Sequence, residues 1–203
     1  MQIKLQIDYD YQNVYGLNQW DAAAQRYIPF ENESIFKWKR GDRGFFNAVA
    51  SAVESLADEG YQIDLAEDEE YESSAAEIAF EICSEVGRRV LPLEPIVLSE
   101  GEYAFMYARN IIQGRWPEAE KTLLKENYAS LIWEYITDVI NGPWPELEPY
   151  ILRENSMLRE AYPCFLKELK RSKEKDAYPV VIPNLTDGDP ALVPENEEHM
   201  PAD

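Results

Sequence analysis

Tyr107-Ala108-Arg109-Asn110-Ile111-Ile112-Gln113-Gly114-Arg115-Trp116-Pro117-Glu118-Ala119-Glu120 returns 28 residues later as Tyr135-Ile136-Thr137-Asp138-Val139-Ile140-Asn141-Gly142-Pro143-Trp144-Pro145-Glu146-Leu147-Glu148, and Leu123-Leu124 then matches Ile151-Leu152. An internal period of this length marks a helical unit that buries its apolar side only by stacking on a neighbour. Both copies carry the same chemistry. An amphipathic helix runs to a Gly, expected to take the left-handed cap at low cost. A Trp follows and packs across the corner. Pro then opens the next helix, where its missing N–H is not needed. Glu at the second and fourth helical positions favours the positive helix end, by about 0.3–1 kcal/mol each. Gly87-Arg88 and Leu93–Leu98 resemble Gly142-Pro143 and Leu147–Leu152, which reads as a degenerate earlier copy.

Outward from this pair, the chain reads as helices punctuated by Gly and Pro. Ser99 with Glu102 forms a capping box, so a helix is expected from there to Gln113. Another spans about Tyr128–Asn141, and shorter ones Pro117–Lys125, Pro145–Leu152 and Ser156–Arg171. Upstream, Phe46, Val49, Val53 and Leu56 recur at helical spacing over 45–59, closed by Gly60. Ser74 with Glu77 is a second capping box, opening a helix to about Val90 on the stripe Ile78, Ile82, Val86, Val90. The N-terminus differs. Ile3, Leu5, Ile7 and Tyr9 alternate with Gln2, Lys4, Gln6 and Asp8, the period of a strand, and Tyr61–Leu65 is a second strand candidate. Residues 11–43 hold seven aromatics without a clean period and read as loops with one or two short strands. The expected fold is α+β, predominantly helical, with a small N-terminal β-sheet and a C-terminal helical repeat region. The expected parts are 1–98 with an acidic segment, the Gly-Trp-Pro repeats over 99–172, and a tail over 173–203. Residues 176–203 hold five Pro, seven acids and no Lys or Arg, too little apolar surface to offset ordering entropy.

The pattern Tyr-Ala-Arg-x-x-Ile-x-Gly-Arg-Trp-Pro-Glu-x-Glu resembles a tandem repeat of uncharacterised proteins from bacteriophages and other large viruses, in which it recurs many times. Two clear copies stand here, over about residues 103–152. In the second, Thr137 and Pro143 replace Arg109 and Arg115 of the first. The resemblance implies stacked helices and a viral origin. It implies no activity, and it does not extend to residues 1–90.

The chain has 203 residues, 39 acids against 19 Lys and Arg, and a net charge of −20. Such a surface repels nucleic acid and anionic membranes and favours cationic partners. No apolar run approaches the roughly 20 residues of a membrane span. The first ten residues lack the pattern of a signal peptide, so a cytoplasmic setting, the host cytoplasm for a viral protein, is expected. Cys83 and Cys164 form neither a disulfide framework nor a metal spacing. The one histidine, His199, stands near the C-terminus, which argues against Ser-His-Asp, Cys-His and His-ligated metal chemistry. No Walker loop, dinucleotide fingerprint, nucleophile elbow or zinc spacing is present. No cofactor and no metal is expected.

Charge is not spread evenly. From Phe45 to Gly87 there are twelve acids and no Lys or Arg, and residues 61–102 carry 12 acids against 2 bases, a net −10. Residues 103–150 carry only −3. Glu67, Asp68, Glu69, Glu70 and Glu72 precede the helix on which Glu77, Glu81 and Glu85 fall at i, i+4 and i+8. Like charges at that spacing each cost about 0.2–0.5 kcal/mol. Successive carboxylates would lie about 6 Å apart along the axis, against about 6.8 Å for two steps of a DNA strand. These eight acids are the candidate partner-binding residues, standing in for phosphates on a DNA-binding cleft. The bland explanation is a solvated face that only confers solubility. The single basic cluster, Lys37–Arg43 around Trp38, reads as internal counter-charge for Glu54–Glu72, or less favourably as a contact for nucleic acid or an acidic partner.

The expected function is therefore non-enzymatic. An acidic protein binds a basic protein surface, a nucleic-acid-handling host complex of defence or DNA processing, by charge mimicry, without touching nucleic acid or membrane. The alternative is an assembly protein whose helical repeats dock on copies of itself or on a virion component. An enzyme working with carboxylates alone is a third class, and would need two acids facing each other in a deep pocket. On the charge reading, Gln at Glu77, Glu81 and Glu85 abolishes binding and slightly raises thermal stability.

Overall fold

A computed structural model describes residues 1–9, 14–30, 38–39, 43–68, 72–126, 128–150 and 156–176. The strands are β1 (Gln2–Tyr9), β2 (Val14–Asp21), β3 (Arg26–Pro29), β4 (Trp38–Lys39) and β5 (Gln62–Leu65). Their order is β3-β2-β1-β5, with β4 pairing β2. Only β1 and β5 run parallel, in the register Ile3↔Ile63 and Leu5↔Leu65. Antiparallel pairing sets Ile7 opposite Leu17. The period of two in β1 is the expected one, since Leu5 and Ile7 are buried while Gln2 and Lys4 are exposed. The sheet is larger than the loop-rich reading of 11–43. β2 is eight residues long, yet its one fully apolar inward residue among those whose burial is described is Leu17, and Trp20 sits outward against Tyr27 at 5.1 Å. An outward Trp and an inward Gln19 hide the alternation.

The helices are α1 (Arg43–Asp58), α2 (Ala75–Val86), a 3-10 turn over Leu91–Leu93, α3 (Glu94–Val97), α4 (Gly101–Tyr107), α5 (Pro117–Glu126), α6 (Ala129–Glu134) and α7 (Ser156–Asp176). The α+β class holds, mostly helical around the N-terminal sheet. One hydrophobic core runs from Leu5 through Phe45, Val53, Ile82 and Trp144 to Tyr162. Met1–Leu166 forms one compact unit. Lys167–Asp203 is a second, of which the end of α7 is described. No described helix is long and apolar enough to cross a membrane. The tail after Asp176 lies outside the described residues.

Three expectations about helix ends are corrected. α2 stops at Val86 rather than Val90, because Gly87 turns left-handed at φ 67°. The Ser99–Glu102 capping box does not form. Ser99 Oγ donates to the Ile96 carbonyl at 2.6 Å, and Glu100 occupies the cap position without a side-chain bond. Instead Glu126 reaches across from α5, its Oε1 accepting the Gly101 N–H at 2.8 Å. A Cβ on Gly101 would meet the Glu126 carboxylate, which would have to shift away from the N–H it caps.

Gly114 and Gly142 are not the left-handed caps. The last turns of α4 and α6 widen into π-helix over Ala108–Ile112 and Tyr135–Ile140, so the left-handed residues come one position early, at Gln113 (φ 56°) and Asn141 (φ 43°). The Asn141 N–H then bonds the Ile136 carbonyl at 2.8 Å, five residues back.

Candidate acidic interface

Two kinds of carboxylate must be separated: those already committed inside the protein and those facing water. Arg115 forks onto Glu120 (Nε–Oε1 2.8 Å, Nη2–Oε2 2.7 Å), the one charged residue buried among those described. That pair holds the guanidinium above its usual range. Arg89 forks onto Glu94 in the same way, at 2.7 and 3.0 Å. Tyr107 and Tyr135 donate to these same two acids, Tyr107 to Glu94 Oε1 at 3.0 Å and Tyr135 to Glu120 Oε1 at 3.3 Å. Arg88 pairs Glu54, with one contact at 2.9 Å, and its hydrogen bonds hold the Glu54 carboxyl below the usual range. Both cations of residues 61–102 are thus engaged within the protein.

Of the eight predicted partner-binding acids, Glu69 and Glu70 lie outside the described residues. Glu67 and Glu72 are exposed. Asp68 pairs with Ser73 through two backbone bonds of 2.9 and 3.0 Å, closing the loop immediately before Ser74. Ser74 caps α2 as expected, its Oγ accepting the Glu77 N–H at 3.2 Å. α2 carries Glu77, Glu81 and Glu85 as the spacing requires, but unequally. Glu77 and Glu81 are half-buried and only Glu85 is exposed. The Glu77 carboxylate is among the charges that hold the Tyr103 phenol above its usual range. The Lys37–Arg43 cluster, offered as counter-charge, has no described side chain.

Tyr103 joins this surface to a second acidic feature that the charge count did not single out. Burial, Glu77, Glu102 and Glu100 together push its phenol up to about 12. Glu100 and Glu102 are also on the wall of a groove of about 830 Å³ between α4, the end of α5 and α6. Glu126 and Glu134 complete its carboxylates, and Phe105, Met106 and Leu131 supply apolar lining. Its one cation, Arg109, is committed twice, 5.0 Å over the Phe105 ring and 3.4 Å from Asp138. The sequence held one signal for this groove, Glu100-Gly101-Glu102, which the capping-box pattern absorbed.

Cys83 is buried among apolar side chains, which pushes its thiol up to about 12, and Cys164 is exposed; both are free. Among the described residues no group of three His, Cys, Asp or Glu is placed to hold a metal ion. Comparison with known protein families, curated proteins and solved structures finds no match to this chain.

Proposed function

We propose that the protein is a non-enzymatic binder of a cationic, nucleic-acid-handling surface, presenting carboxylates where that surface expects phosphates. One observation carries this reading. Arg88 and Arg89, the two cations of residues 61–102, are forked onto Glu54 and Glu94, whereas among the described residues no Lys or Arg pairs with Glu67, Glu72 or Glu85. A surface that keeps its cations occupied and its acids exposed attracts a basic partner by long-range steering, which salt weakens. The partner is a defence or DNA-processing complex of a host cell, in keeping with the resemblance to viral repeats. The test immobilises the whole chain, captures host proteins at low salt, and challenges them with duplex DNA. Release by DNA supports mimicry. Retention that resists both DNA and high salt overturns it.

A second reading, an assembly platform, rests on the corners. Trp116 N–H donates to Tyr135 Oη at 2.8 Å, and Trp144 N–H to Tyr162 Oη at 2.6 Å. We read the two Gly-Trp-Pro corners as successive copies of one unit on this basis. Size-exclusion mass across a salt series separates the two readings: a salt-insensitive oligomer favours assembly, a salt-insensitive monomer the binder.

A further inference from the structure

The groove between α4 and α6 has an apolar floor and a charged rim, and this combination selects among cations. Met106 and Leu131, both partly exposed, give it apolar surface that an ion alone would leave unburied. Of the four carboxylates on its wall Glu126 caps Gly101, leaving Glu100, Glu102 and Glu134 against one guanidinium, which is held by Phe105 and Asp138. A cleft lined by one sign of charge over low-dielectric walls concentrates its field. Tyr128, on the wall, is 63% exposed, more than any other described aromatic, and an aromatic ring at such a place attracts a guanidinium or ammonium. The volume lies within the range of sites that enclose a small ligand or a few side chains.

We propose that this groove docks a short segment of a partner protein in which Arg or Lys alternates with Leu-like residues, the cation meeting the carboxylates and the apolar side chain the floor. The inference rests on the charge-mimicry reading and names where, and by what chemistry, the partner would be gripped. Nucleic acid is excluded by the rim. A free polyamine satisfies the rim but leaves the floor exposed.

Fluorescence anisotropy at 0.15 M salt tests it, with two labelled nine-residue peptides of equal charge, one alternating Arg with Leu and the other Arg with Gly. The Leu peptide is expected to bind at least tenfold tighter. The exposed pair Glu102→Gln/Glu134→Gln is expected to weaken it tenfold or more. Glu197→Gln/Glu198→Gln, which removes the same charge from the tail, is expected to change it less than twofold. Equal affinity for the two peptides, equal loss in the two variants, or displacement by spermine at the same concentration for both peptides would overturn the groove. DNA-reversible capture of host protein can persist when the peptide preference fails, and then only the groove falls. Peptide preference can persist without such capture, and then only the mimicry falls.

Discussion

Tyr135→Phe removes one oxygen from a fully buried position and leaves the ring. That oxygen accepts the Trp116 N–H at 2.8 Å and donates to Glu120 Oε1 at 3.3 Å. The ring stays against Trp144, 5.4 Å between centroids, so the apolar burial changes little. The main loss is the acceptor of a buried backbone N–H at the start of a Trp-Pro corner. A buried donor left without a partner costs about 1–3 kcal/mol, more than the net worth of an average hydrogen bond. The substitution should therefore lower unfolding free energy in urea by about 1–3 kcal/mol with an unchanged slope. For a unit of this size each kcal/mol corresponds to about 2–4 °C in Tm. Tyr162→Phe, which strips the acceptor of Trp144 N–H at 2.6 Å, should cost a similar amount. Equivalent costs would mark the corners as one device used twice. A loss within about 0.5 kcal/mol, the scale of a neutral surface change, would refute the reasoning and leave the Tyr–Trp bond as incidental.

Arg115→Met leaves the buried Glu120 without its fork. Breaking a fully buried pair costs about 3–5 kcal/mol, but Arg115 is 40% exposed and water reaches it, so the expected loss in urea unfolding is about 2 kcal/mol; stability equal to wild type would contradict it. Gly101→Ala drives a Cβ into the Glu126 carboxylate and should cost about 1 kcal/mol, the worth of the lost bond. Combined with Glu126→Ala it should cost little more, because both remove one contact, and full additivity would count against the trans cap. Stability should also fall in alkali. The phenols of Tyr103, Tyr107, Tyr135 and Tyr162 and the Cys83 thiol are all raised in the folded state. Their contribution is complete below the unfolded values, about 8.5 for Cys and 10 for Tyr, and is lost as pH rises past them. A Tm flat from pH 8 to 11 would disprove this.

Much of the helical layout was legible because apolar spacing and punctuation act locally. Ser74 as a cap, Pro117 as a helix start and the stripe of α1 follow from neighbours within one or two turns. Misses arose where a distant group supplied what local pattern seemed to. Glu126, 25 residues from Gly101, replaces the Ser99 cap. The widened last turns, which move the left-handed residue from Gly114 to Gln113 and from Gly142 to Asn141, have no signature in residue type. Of the two Tyr that receive the corner N–H groups, Tyr135 was visible only as a residue repeated at the 28-residue period, and Tyr162 stands one residue off that period. For the interface, charge density could be read from composition, but its accessibility could not. Glu77 and Glu85 are both acids on one helix face, and only the structure tells that one is half-buried while the other meets water.

The most direct test of the charge reading holds total charge constant and moves it. Glu67→Gln/Glu72→Gln/Glu85→Gln and Glu195→Gln/Glu197→Gln/Glu198→Gln both change the net charge from −20 to −17. Binding of the partner captured at low salt is measured for each by titration at several ionic strengths. The account predicts that the first variant loses at least tenfold in affinity and has a shallower salt dependence, while the second binds as wild type does. Equal affinities for the two variants would show that the exposed acids before and on α2 are a solvated face and nothing more.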